Sequence, residues 1–218
     1  MTILAIETST NHGSVAILSN GQPIFFERFP ADRRTSTVLF TVLERALALC
    51  QTLEQVAVGL GPGSYAGVRI AIAAALGIEL GRGPLVIGIS SVSTLETPAQ
   101  TYFAIGDARR QTFYLSKIES GITTDGPRLV TADQLQAYLA DYPDIPALTS
   151  AILPEFPTAE LAAPSALRLA QLAHAQIGII ATRDLEPIYL RDPHITLPKS
   201  PPKVGFTITQ ASPTPDSF

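Results

Sequence analysis

Cysteine occurs once in this 218-residue chain, at Cys50, so no internal disulfide can form. That suits the reducing cytosol, and within an apolar helical pattern Cys50 is expected as a small core hydrophobe. Charge is scarce: Asp, Glu, Lys and Arg make up 16% of the residues, against 46% hydrophobic ones. The balance is acidic, with a net charge of −4 and a pI near 5.3. Bulk attraction to phosphate therefore gives the chain no unaided grip on nucleic acid, and any RNA role has to be shared with another subunit. Long hydrophobic runs are missing too. The most apolar stretch, about Ile70 to Leu80, carries Glu79 and is too short for a bilayer. "MTILAIET" has neither a basic start nor a small-residue cleavage site, so no secretion signal is expected. His12, His174 and His194 fall in no HxxxH or HExxH pattern, and no metal site is expected. There is no G-x-S-x-G elbow for a serine hydrolase.

What remains is oily for a soluble monomer, with a mean hydropathy of +0.25, and points to apolar surface covered by a partner. The length is enough to bury a core of its own. "TILAIETS" and "SVAILSNGQPIFFERF" read as three strands in succession, the last two joined at Asn20-Gly21. A helix follows from about Thr35, with Val38, Leu39, Val42, Leu43, Ala46 and Leu47 at helical spacing. "QVAVGL" and "PLVIGIS" read as short buried strands. "TYFAIGDARRQTFYLSKI" repeats the opening as strand, turn, strand, with Asp107 placed as Glu7 and Thr8 were, which suggests a duplicated fold. "TADQLQAYLADY" reads as a helix capped by Thr131, and "TAELAAPSALRLAQLAHAQ" as another, interrupted at Pro164 and regular from Ser165. From Pro193 the chain is proline-rich and is expected to be extended or flexible.

"GLGPGSYAGVRI", residues 59–70, is a glycine-rich loop opening a helix, a common way to hold phosphate. It is neither a Walker A loop, since no Lys-Ser/Thr follows, nor a dinucleotide fingerprint. Gly61, Gly63 and Ser64 serve either as an anion cradle or as a tight turn for close backbone packing, and the second reading is favoured. Thr8, Ser9 and Thr10 in "ETSTNHG", with Asp107, are placed like the acidic, hydroxyl-rich turns that hold magnesium and phosphates in sugar kinases and actins. The plainer reading is that the hydroxyls satisfy turn amides. On the helix after the loop, Gly67, Ala71, Ala74, Ala75 and Ile78 lie on one side, with Ala66, Ile70, Ala73, Gly77 and Leu80 beside them. Side chains this small let a second helix approach to about 8 Å. With the Val38–Leu47 helix, this face is a candidate half of an intermolecular bundle.

"ILAIETST", "GLGPGSYAGVRIAIAAALGIELG", "IGISSVSTL", "DARRQTFY" and "EPIYLRD" occur in the order found in the TsaB (YeaZ) family, and the resemblance spans residues 3 to about 192. It implies an α/β, two-lobed ASKHA fold, related to actin and sugar kinases, with degenerate nucleotide elements. The lobes would be residues 1–100 and 101–192, followed by a tail over 193–218. It implies a non-catalytic scaffold for a paralogue, TsaD, with the ATPase TsaE joining. The assembly would carry threonylcarbamoyl to the adenosine beside the anticodon of ANN-decoding tRNAs. A homodimer through the same helices is expected when TsaD is absent, and tRNA is contacted only within the complex. No cofactor is implied for the isolated chain, although a nucleotide at the joint with the partner is left open. The partner-facing residues would be Val38, Leu39, Val42, Leu43, Ala46, Gly67, Ile70, Ala71, Ala74, Ala75 and Ile78. Thr8, Ser9, Thr10, Gly61, Gly63, Ser64, Asp107 and Arg109 match relic phosphate elements. Tyr114, Tyr189 and Arg191 fall on motifs of unassigned role. The chain departs from the family at Arg34-Thr35, where relatives carry His, in the short connection "STLETPAQT", and at Thr112, which replaces an acidic residue. The competing reading is a stand-alone ATPase or glycoprotease-like enzyme.

Overall fold

The computed structural model describes residues 1–31, 35–182 and 184–191. β1 (Thr2–Glu7), β2 (His12–Ser19) and β3 (Gln22–Pro30) form an antiparallel meander. Its second turn is Asn20-Gly21, both at positive φ, as a two-residue hairpin turn requires. α1 (Thr35–Ala48), β4 (Gln55–Gly59), α2 (Tyr65–Arg82) and β5 (Leu85–Ile89) follow, with β4 parallel to β1 and β5 parallel to β4. Both faces of this sheet are covered, which is why its inner strands read as unbroken apolar runs. Leu4, Ile6, Val15, Ile17, Val56 and Val58 face α1 and α2, in a core that includes Cys50. Ile3, Ala5, Ala16, Leu18, Ala57 and Ile87 face the opposite way.

A single 3-10 turn, Ser91–Thr94, leads into the second sheet. β6 (Thr101–Asp107), β7 (Thr112–Glu119) and β8 (Ile122–Thr131) repeat the meander. β8 goes beyond the sequence reading: Asp125-Gly126-Pro127 interrupts it with turn residues. An edge strand with register shifts against β7 tolerates them. α3 (Ala132–Ala140) starts at a capping box between Thr131 and Gln134 and covers Phe103, Ile105 and Leu115 with Leu135. β9 (Ala147–Thr149) and β10 (Glu160–Leu161) complete this sheet. The stretch expected as one interrupted helix is therefore a strand, then α4 (Ala166–His174) after the N-cap Ser165.

α4 and β11 (Ile179–Ala181) overturn the division at residue 100. Leu169, Ala170 and Leu172 of α4 cover the face of the first sheet opposite α1 and α2, and β11 pairs with β5 at its edge. The first sheet thus runs β11-β5-β4-β1-β2-β3, and the second runs β10-β9-β6-β7-β8. The chain leaves the first lobe at the 3-10 turn and returns to it. The proline-rich tail, His194 and Arg34 lie outside the described residues.

Candidate functional site

A cleft of about 570 Å³ opens between the lobes. Ser9 and Thr10 reach it from the β1–β2 turn, Gly63 and Ser64 from the loop before α2, Asp107, Arg109 and Tyr114 from the β6–β7 hairpin, and Tyr189 and Arg191 from the segment after β11. Each of these is a residue that the motifs single out. Thr8 and Gly61 are buried, and the Thr8 hydroxyl donates to the Gly67 carbonyl at 2.8 Å.

The glycine loop is built for close approach. A Cβ at Gly63 would stand 2.1 Å from the Ser9 carbonyl oxygen, and one at Gly67 2.1 Å from that of Thr8. The first turn of α2 is therefore pressed onto the end of β1. The Ser64 amide donates to the Ser9 carbonyl at 2.6 Å, and the Ser64 hydroxyl caps α2 by accepting from Gly67 N. The Ser64 amide, a candidate anion donor, is spent on the protein's own backbone.

Glu7 ends β1 entirely buried. Its Oε1 accepts from the Ser9 amide at 2.7 Å, while Oε2 lies against Gly59 and Ser91. Burial pushes this carboxyl above the usual carboxylate range, opposed by its bond from the Ser9 amide. A raised acid holds its proton longer folded than unfolded, so its contribution is greatest below the unfolded value, near 4.5, and is lost as pH rises through the folded value. Glu7→Gln removes that loss. Melting curves from pH 5 to 8 are expected to show the variant more stable than the parent at pH 8, with the gap closing towards pH 5. A constant gap, or one that widens in acid, would contradict the assignment.

Across the cleft, Asp107 Oδ1 accepts from the Arg109 amide at 2.6 Å. Arg109, Arg110 and Gln111 all have positive φ, 65°, 53° and 59°. Three such residues without glycine cost about 1 kcal/mol or more each. They are held by Thr112, whose hydroxyl donates to the Arg109 carbonyl at 2.8 Å, and by Arg191, whose Nη2 donates to that carbonyl at 3.3 Å and to Thr112 Oγ1. Tyr114 packs its ring over Gly106, and burial pushes its hydroxyl up to about 12. On the first lobe, the Ile188 amide donates to the Leu60 carbonyl at 2.7 Å. Tyr189 stacks on Tyr65 with ring centroids 5.4 Å apart, and the Arg69 guanidinium lies 5.2 Å over the Tyr65 ring. Residues 188–191 thus strap one lobe to the other. Tyr65, an exposed ring in the first turn of α2, escaped the sequence reading, although an aromatic straight after a cap serine was its signal.

The helix faces require a correction. Leu39, Val42, Leu43, Ala46, Gly67, Ala71, Ala74 and Ala75 are buried in the lobe's own core, and Val38, Ile70 and Ile78 are half-buried. The buried eight are spent on the sheet and are closed to a partner. What α2 offers to solvent is the adjacent stripe of Ala66, Ala73, Gly77 and Leu80, the last 90% exposed, and α1 adds Phe40 at 54%. Among the described residues no three His, Cys, Asp or Glu side chains gather as a metal site, and no helix is long and apolar enough to cross a membrane.

Two meanders whose first turns face each other across a cleft define the ASKHA class, the fold of actins and sugar kinases. The model of the family "TsaD: tRNA N6-adenosine threonylcarbamoyltransferase" matches residues 31–180, and the chain belongs to this family, within its TsaB/YeaZ branch. An uncharacterized protein of Mycobacterium tuberculosis is 31% identical over 88% of this chain and 92% of its own length. The "tRNA threonylcarbamoyladenosine biosynthesis protein TsaB" of Haemophilus influenzae is 28% identical over 92% of this chain and 98% of its own. The structure of YeaZ from Pseudomonas aeruginosa superposes with a TM-score of 0.70 at 23% identity, covering 87% of this chain and 99% of that one, and shares its fold.

Proposed function

We propose that this chain is a docking subunit in the formation of threonylcarbamoyladenosine on tRNA, binding a TsaD-type paralogue and making no bond itself. The names of its relatives and of its family support the pathway. The observation that carries the docking role is the solvent stripe of α2, small enough at Ala66, Ala73 and Gly77 for a second helix to lie close. A TsaE-type ATPase joins the pair, the assembly works in the cytoplasm, and without the paralogue two copies meet through the same stripe.

The stripe has a sharp test. A Cβ at Gly77 meets nothing within 4 Å among the described residues, so Gly77→Arg leaves the isolated fold intact. Coexpressed with its TsaD-type paralogue, the variant is expected to lose affinity on the order of 100-fold or more, read by co-purification and calorimetry. Full retention would end the docking reading, as would threonylcarbamoyl transfer by the purified chain alone. The cleft favours a second reading, a nucleotide-binding enzyme. Tight ATP–magnesium binding by the isolated chain would support it.

A further inference from the structure

We propose that the cleft rim formed by Tyr65, Arg69, Arg109, Arg110 and Tyr189 is a contact for an unpaired RNA strand, with a base stacked on the tyrosines and phosphates on the arginines. The identity of that RNA as tRNA rests on the function proposed above. Although the chain carries a net charge of −4, Arg109 and Arg191 line the cleft against one acid, Asp107, with Arg110 next to Arg109 in the chain and Arg69 on Tyr65. Asp107, the acid lining the cleft, is already bonded to the Arg109 amide and lies 3.6 Å from the Arg109 guanidinium. The Arg109 side chain itself is 89% exposed.

The aromatics point the same way. Phe103, Phe113 and Tyr102 are buried in the second lobe, whereas Tyr65 and Tyr189 remain 52% and 42% exposed at the rim, stacked on each other and topped by Arg69. Arg69 Nη1 donates to the Tyr65 hydroxyl at 3.0 Å and holds the pair, and two exposed, stacked rings are a platform for bases, each of which has a π-face whatever its sequence. The hairpin turn adds a third argument. Its left-handed residues are arginines at two of three positions where glycine would be free of strain, and Arg191 is spent on holding that backbone. The turn therefore presents Arg109 and Arg110 on a fixed frame, and Arg191 is a positioning residue.

The test measures tRNA binding by the complex of the full chain with its TsaD-type paralogue, using fluorescence anisotropy over a salt series. Arg109→Gln with Arg110→Gln is expected to lower the slope of log K against log salt by about 1.4, at about 0.7 per phosphate contact on a single strand. Tyr189→Ala is expected to weaken binding by about 5- to 140-fold, and Tyr189→Phe to restore most of it. A residue with only a structural role would leave the salt slope alone. Wild-type slope and affinity in both the double-arginine and Tyr189→Ala variants would overturn the proposal. So would an unchanged tRNA affinity combined with loss of a third protein subunit, which would make the rim a protein face. Because Gly77→Arg probes docking separately, a failure of the rim proposal is told apart from a failure of the docking reading on which it rests.

Discussion

Ala71→Arg is expected to leave no cooperatively folded protein at 25 °C, whereas Ala73→Arg, two residues along the same helix, melts within about 2 °C of the parent. Ala71 is fully buried in the core shared with Leu4, Val58 and Val86. Arginine there adds a long side chain to a filled space, at about 1–3 kcal/mol, and buries a charge with no partner, at several kcal/mol more. The sum rivals the roughly 5–15 kcal/mol that holds a typical domain together. Ala73 faces water, where substitutions shift stability by about 0.5 kcal/mol at most. Circular dichroism and thermal melting separate the two outcomes. The pair also guards against a false result, since a misfolded Ala71 variant would fail to bind a partner for reasons unrelated to docking. A folded Ala71→Arg with near-parental melting would overturn the assignment of that helix face to the core.

The same pair shows where the sequence stopped being informative. The inner strands were legible because burial on both faces makes them continuous apolar runs between turn residues. The duplicated meander was legible from Asn20-Gly21 and from the acid that ends the first strand of each half. The orientation of α2 was not. Its two stripes, Gly67-Ala71-Ala74-Ala75 and Ala66-Ala73-Gly77, are chemically alike, so periodicity marks the helix without saying which side meets the sheet. β8 was hidden by Asp125-Gly126-Pro127, which reads as a turn unless its pairing with β7 is known. The return of α4 and β11 to the first lobe is a long-range choice, made by packing against β1, β2 and β5, that no local pattern carries. The cleft residues stood out one by one, each as a local oddity. What joins them did not: Arg191 and Thr112 are 79 residues apart in sequence and meet only in the fold.

Gly67→Ala is expected to destabilise the protein by about 3–5 kcal/mol, although alanine is the better helix former by about 1 kcal/mol. The added methyl would stand 2.1 Å from the Thr8 carbonyl oxygen, a backbone atom at the end of a buried strand that cannot swing aside. α2 must then lift from β1. Lifting strains the bond from the Thr8 hydroxyl to the Gly67 carbonyl and the one from the Ser64 amide to the Ser9 carbonyl. For a chain of this size the loss corresponds to about 6–20 °C in melting temperature. Gly77→Ala, on the same helix with open space around it, is expected to move the other way, gaining about 0.5–1 kcal/mol. Equal shifts of the same sign would mean that the loop glycines only loosen the chain. Opposite shifts are what close approach demands, because helix propensity acts on both positions alike and contact with β1 on one. The two glycines then divide the work of α2: Gly67 brings the helix onto the end of β1, and Gly77 keeps its outer side low, as the proposed docking requires.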